Sequence, residues 1–282
     1  MEVFLECLPC TLRQAIEASR MATGDRALQQ AIMEEVVRLL AAFPQYKSSP
    51  ELGRVVHQLV KERTGAADPY KRIKMESIAK ALQLYPVLKE FLAGQQDQLY
   101  WALKIAVTGN SIDAAVSNKI EIKEQIEAEL TKELALCDLE SFAEELRQAK
   151  RLLLIGDNAG ETVFDRILLE KLAADGLELI YAVRSEPVIN DATLEDAYAS
   201  GLAEVARIVS TGCNVPGLLL EECTPEFQEI FRTVDLIISK GQGNYETLGD
   251  LERGIYFLLK AKCAPIATLL GVKVNDYVFF RR

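Results

Sequence analysis

Directly behind an apolar run, Arg151-Leu152-Leu153-Leu154-Ile155, the chain places Gly156-Asp157-Asn158-Ala159-Gly160-Glu161: a carboxylate, an amide and a second carboxylate interleaved with glycine. A short apolar stretch ended by glycine reads as a buried parallel strand, and residues 162–172 have the apolar spacing of a helix. Asp157 and Asn158 therefore stand at a strand's carboxyl end, the edge at which open α/β sheets bind ligands. Two adjacent oxygen donors held there suit a hard divalent cation such as Mg²⁺ or Mn²⁺. The competing use of either side chain is to cap the helix that follows.

Other polar tips point the same way. Strand-like runs at 151–155, 178–183, 206–210, 234–239, 265–270 and 277–280 alternate with helical patterns, which is the signature of a doubly wound α/β sheet. Arg184 follows the second run, Asn190-Asp191-Ala192-Thr193 opens the next helix, and Lys240-Gly241-Gln242-Gly243-Asn244 follows the fourth. If the strands are parallel, one edge gathers Asp157, Asn158 and Asp191 as oxygen donors and Arg184 and Lys240 as cations. The glycine-rich backbone at 241–243 is then free to approach a phosphate closely. The combination points to metal-assisted phosphate chemistry, with Glu161, Arg184, Gly241 and Asn244 as candidate substrate contacts. For Asp191 alone, helix capping is the plain alternative, and for Lys240 a solvated surface lysine.

The elements that must carry this edge divide the chain. Up to about residue 148 the pattern is helical, with runs at 10–21, 26–42, 51–63, 71–92 and a charged run at 120–134, separated by turn residues such as Gly24-Asp25, Ser49-Pro50 and Gly109-Asn110-Ser111. The expected architecture is a helical N-terminal domain (1–148) packed on an α/β domain (149–282) whose sheet is mostly parallel and Rossmann-like. With 282 residues and 49% hydrophobic content the chain can bury a full core. A net charge of −10 argues against generic nucleic-acid binding and against attraction to an anionic membrane. No apolar run approaches the ~18 residues of a membrane span, and the acidic, Cys-interrupted start is unlike a signal peptide, so the expected location is the cytoplasm. Six cysteines in so long a chain do not make a disulfide framework; reduced thiols are expected. The single histidine, His57, lies in a helical stretch and is expected to be a surface or satisfied residue. One histidine excludes multi-histidine zinc sites, so catalysis must use carboxylates, amides, Lys, Arg, thiols or a metal.

Taken together, the motifs resemble those of the metal-dependent damage-control phosphatases, catalogued as domain-of-unknown-function family eighty-nine. The resemblance spans the chain: Cys7-Leu8-Pro9-Cys10-Thr11-Leu12-Arg13-Gln14, Asp68-Pro69-Tyr70 with Lys74, Gly109-Asn110-Ser111-Ile112-Asp113, the stretch from Gly156 to Glu161, Asn190-Asp191-Ala192-Thr193, and the stretch from Lys240 to Tyr245. It implies that Asp157, Asn158 and Asp191 bind one divalent ion (Mg, Mn, Co or Ni), that Lys240 contacts the substrate phosphate, and that Asn110 and Asp113 line the pocket from the helical side. The N-terminal cysteine pair is similar to that of one branch of the family. The implied activity is hydrolysis of small phosphorylated metabolites, such as sugar phosphates, by a metal-bound water.

Other uses of these motifs fit the residues less well. Gly241-Gln242-Gly243 lacks the third glycine of a dinucleotide fingerprint and falls at a late strand. A small-molecule methyltransferase would need an early glycine-rich loop, for which Gly156-Asp157-Asn158 is a poor substitute. A metal- or thiol-based binding protein built on Cys7 and Cys10 would need further ligands from scattered cysteines. A phosphorylated aspartate at Asp157 is disfavoured too, because that chemistry normally uses Asp-x-Asp and the second position here is Ala159.

Overall fold

The computed structural model describes residues 1–109, 128–174 and 176–282. Three helices open the chain, α1 (Cys7–Ala22), α2 (Arg26–Leu40) and α3 (Ser49–Thr64). Their starts and stops are local chemistry. Asp25 accepts hydrogen bonds from the Ala27 and Leu28 amides, Ser48 accepts from Glu51, and Gly65 ends α3 at φ 70°, a left-handed turn that favours glycine. The three pack on one another through a small core that includes Ala15, Ile32, Val36, Val56 and Val60. Two further helices, α4 (Lys71–Ala93) and α5 (Gln98–Thr108), leave this bundle and lie on the sheet.

The sheet has seven strands: β1 (Leu134–Cys137), β2 (Arg151–Ile155), β3 (Glu178–Val183), β4 (Arg207–Ser210), β5 (Leu236–Lys240), β6 (Tyr256–Lys260) and β7 (Tyr277–Arg281), in the order β1-β7-β6-β5-β2-β3-β4. The five from β6 to β4 are mutually parallel, while β7 runs antiparallel to β6 with β1 parallel to it. Between them lie α6 (Leu139–Leu146), α7 (Thr162–Ala173), α8 (Leu194–Ala199), α9 (Pro225–Thr233), α10 (Gln242–Leu248) and α11 (Ala264–Leu270). Burial follows the two-residue period of a strand covered on both faces. Leu152 and Leu154 enter a core shared with α4, α5 and α7, whereas Leu153 and Ile155 enter one shared with α9, α10 and α11.

The doubly wound, mostly parallel sheet is the architecture expected, with two corrections. Residues 265–270 are helical, because Cys263 occupies the N-cap position and Pro265 sits in the first turn, where its missing N–H costs nothing. The sixth strand is instead Tyr256–Lys260, whose run Tyr-Phe-Leu-Leu-Lys is buried at four positions. The sheet also takes β1 from ahead of residue 149, and β1 begins at Leu134, where the charged run at 120–134 ends; residues 120–127 of that run lie outside the described residues. Among the described residues no helix is long and apolar enough to cross a membrane.

Candidate active site

Strand order reverses between β2 and β5, and at that point an open sheet leaves a crevice outside its strand ends. The chain leaves β2 through Gly156, where a Cβ would meet the Tyr181 hydroxyl at 2.5 Å; glycine lets that ring cross the strand end. Asp157 and Asn158 follow. The segment after β3 then folds back over them. The Ala192 amide donates to the Asp157 carbonyl (2.8 Å), the Ala159 amide donates to the Asn190 carbonyl (2.8 Å), and Asn158 and Asp191 pair as an isolated antiparallel bridge. Backbone hydrogen bonding thus sets Asp191 beside Asp157 and Asn158. The helical bundle steadies the returning loop: Lys61 donates to the Pro187 carbonyl (3.2 Å), and Ile189, at φ 46°, packs against the core of α1–α3.

None of the three donors is spent on a helix cap. The cap of α8 is Thr193, which forms a capping box with Asp196, and neither Asp157 nor Asn158 makes a side-chain cap to the turn that follows. Asp196 in turn accepts from Lys74 (2.9 Å), which is also held by Asp68 (2.8 Å), so the Asp68 and Lys74 motif ties the helical half to the segment that carries Asp191. The Asn158 amide nitrogen donates to Asp157 Oδ2 (2.9 Å) and to Glu161 Oε1 (2.5 Å), which leaves its carbonyl oxygen as the donor atom for a cation.

Asp157, Asn158 and Asp191 form the floor of a cavity of about 380 Å³, within the size range of small-molecule sites. Burial, then the neighbouring carboxylates of Glu161 and Asp191, push the Asp157 carboxyl up to about 7. Asp191 is raised as well, by burial, although Arg184 opposes the shift. The floor is therefore short of positive charge.

Behind the floor lies a second layer that the sequence placed on the substrate side. Lys240 is 1% exposed, and its ammonium donates to the Ala106 carbonyl (2.9 Å), Glu161 Oε2 (2.8 Å) and Asp165 Oδ1 (2.6 Å). All three ammonium protons are thereby used. Burial works against the Lys240 charge, but Asp165 and Glu161 outweigh it and hold the group above its ordinary value; Asp165 itself is raised to about 6 by burial and also accepts from the Tyr181 hydroxyl (2.8 Å). Arg184 is equally buried, donating to Asp191 Oδ2 (2.8 Å) and to Asn244 Oδ1 (2.9 Å), while Asn244 bonds the Gly156 and Lys240 carbonyls and so ties the tips of β2 and β5 together. Gly241, at φ 82°, lies flat against Asp157: a Cβ there would come within 2.2 Å of its carboxylate. In this arrangement Lys240, Glu161, Arg184, Gly241 and Asn244 position the floor rather than line the cavity. The reason is steric and electrostatic: each side chain has a buried partner, although Arg184 Nη1 has none among the described residues, and Gly241 offers only backbone. Asn110 and Asp113 lie outside the described residues.

The opposite wall was not anticipated. The start of α1 supplies Cys7, Cys10 and Arg13, the start of α3 supplies Ser49, and the loop after β6 supplies Lys262 and Cys263. The cysteine pair was visible in the sequence, but nothing placed it at the strand edge. Lys262 was missed because the strand ahead of it was missed. Burial pushes the Cys7 thiol up, and Cys7 and Cys10 stand in the wall that faces Asp157 and Asp191 across the cavity. His57 is buried and satisfied, in edge-on contact with Tyr70.

The model of the damage-control phosphatase ARMT1-like domain matches residues 3–278. A damage-control phosphatase of Pyrococcus horikoshii is 35% identical over 285 residues, covering 100% of this chain and 98% of the relative. A damage-control phosphatase of Archaeoglobus fulgidus is 31% identical over 287 residues (99% and 98%), and an uncharacterised protein of Methanocaldococcus jannaschii is 36% identical over 288 (98% and 94%). A crystal structure of a DUF89 family protein from P. horikoshii superposes with a TM-score of 0.93 at 34% identity, covering 100% of this chain and 99% of that one.

Proposed function

The chain belongs to the damage-control phosphatase ARMT1-like family, and we propose that it hydrolyses phosphomonoesters of small metabolites, sugar phosphates or related compounds, with one divalent cation held by Asp157, Asn158 and Asp191. The observation that carries this is the convergence of two carboxylates and an amide oxygen on the floor of one cavity, with both carboxyls raised above their ordinary range by burial. Such a floor fits a cation. Its donors are all hard oxygens, which favours Mg²⁺ or Mn²⁺ over softer ions, with Co²⁺ and Ni²⁺ as tolerated substitutes. A divalent cation bound there supplies the Lewis acid that orients the phosphoryl group and acidifies a water.

The protein's own residues do the rest. Arg184 fixes the Asp191 carboxylate, and Asn158 is oriented by the two carboxylates that accept from its amide nitrogen. Lys240 pairs with Glu161 and Asp165 in a buried site, and this holds Asn158 in register through Glu161. The wall made by α1 and α3 limits the access of bulk water, which strengthens every charge interaction inside. No histidine is needed. The test is phosphate release across a panel of phosphorylated metabolites with Mg²⁺, Mn²⁺, Co²⁺ and Ni²⁺ supplied in turn. Turnover should require a cation and vanish with chelator; a chelated enzyme that still releases phosphate at the normal rate would sink the reading.

A further inference from the structure

With a dication on the floor, the two carboxylates of Asp157 and Asp191 are neutralised and the floor carries no net charge toward a phosphate dianion. Behind the floor the two positive charges of Lys240 and Arg184 are balanced by the two carboxylates of Glu161 and Asp165, so this layer adds no net charge, and neither cation lines the cavity. The substrate's negative charge must be met from the walls. Among the described residues the cations lining the cavity are Arg13, on the first turns of α1, and Lys262, on the loop that leaves β6.

Resting on the phosphatase reading above, we propose that Lys262 is the phosphate-binding cation of this site. Three observations carry the inference. The first is position: β6 is parallel to β5, so its carboxyl end opens on the same edge as Asp157, and Lys262 stands two residues beyond it. The second is anchoring. The Lys262 amide donates to Gln242 Oε1 (2.9 Å), and Gln242 Nε2 donates to Glu246 Oε1 (2.8 Å), which pins the loop to the first turn of α10. The third is availability, since Lys262 is exposed at the cavity and its ammonium makes no hydrogen bond or ion pair among the described residues. A lysine here acts as a mobile point charge that can follow the phosphoryl oxygens, a role suited to its flexible stem.

The test compares wild type with Lys262→Met and Lys262→Arg, each loaded with Mn²⁺. Calorimetric titration with inorganic phosphate should show binding to Lys262→Met weakened at least about tenfold and most of the loss restored in Lys262→Arg. Because Lys262 is exposed, melting should be unchanged, and Mn²⁺ affinity should hold or rise slightly. With p-nitrophenyl phosphate the effect should fall mainly on KM, and phosphate binding to Lys262→Met should be less sensitive to ionic strength than in wild type. Wild-type phosphate affinity in Lys262→Met, or the same loss appearing only in Arg13→Met, would overturn the assignment. A wild-type protein with no cation-dependent turnover would overturn the phosphatase reading itself, a separate failure.

Discussion

Replacing Lys240 by Met keeps the apolar stem and deletes a charge held 2.8 Å from Glu161 and 2.6 Å from Asp165 at a position 1% exposed. Removing one partner of a buried ion pair leaves the other uncompensated and typically costs about 3–5 kcal/mol. Here two carboxylates and the Ala106 carbonyl lose a donor together, which places the cost toward the upper end. For a chain of this size the melting temperature should fall on the order of 10 °C. The loss should depend on pH with a definite sign. Asp165 already sits at about 6 with the lysine present and must rise further without it. A carboxyl whose folded value lies above its unfolded value stabilises the fold below the unfolded value, and that stability is lost as pH rises through the folded value. Lys240→Met should therefore be most impaired near pH 8 and partly recovered near pH 5, and adding Asp165→Asn should recover part of the loss at pH 8. Thermal and urea unfolding of the metal-free proteins at both pH values measure this. A Lys240→Met protein that melts with wild type at pH 8 but binds phosphate more weakly would refute the reasoning and put Lys240 on the substrate.

The other expectations concern the floor and the helical half. Asp157→Asn should cut cation affinity by more than about a hundredfold, beyond the usual effect of losing an outer partner, while leaving metal-free stability intact; calorimetry with Mn²⁺ and a melt decide it. Gly241→Ala should cost about 1–3 kcal/mol, because φ 82° with ψ 156° is a region essentially reserved for glycine, and should weaken cation binding by pushing on Asp157. Burial, then Lys61, depresses His57 from 6.5 to about 4, so its contribution is present above pH 6.5 and lost as pH falls toward 4, a range worth about 3 kcal/mol. His57→Leu should flatten the acid limb of the stability profile over that range, and an unaltered limb would show that other groups govern it. The double variant Cys7→Ser, Cys10→Ser should bind Mn²⁺ as wild type does, since the proposed donors are oxygens on the opposite side of the cavity; lost Mn²⁺ binding with an intact melt would bring the thiols into the site.

The sequence by itself determined the parts that depend on short-range pattern. A continuous apolar run closed by glycine specifies a strand buried on both faces, and the residues just beyond it must fall at a sheet edge, so Asp157, Asn158 and Asp191 were legible as neighbours once the strands were taken as parallel. The alternation of strands with helices gave the doubly wound sheet for the same reason. Where two periods compete in a short segment, pattern fails. Residues 265–270 look strand-like, yet Cys263 and Pro265 start a helix there, and the true strand at Tyr256–Lys260 carries no alternation because both its faces are buried. Only the tertiary structure decided which way each charged side chain points. Lys240 ends β5 and Lys262 follows the parallel strand β6, and a sequence favours the one before glycines. Yet Glu161 and Asp165, brought beneath β5 by the packing of α7, draw the Lys240 ammonium into the interior, while Lys262 meets no such partner among the described residues and stays at the cavity. The Cys7 and Cys10 wall is non-local in the same sense, since it depends on where the α1–α3 bundle docks against the strand ends. Long-range packing of this kind is set by whole helix faces, and no spacing within α1 records it.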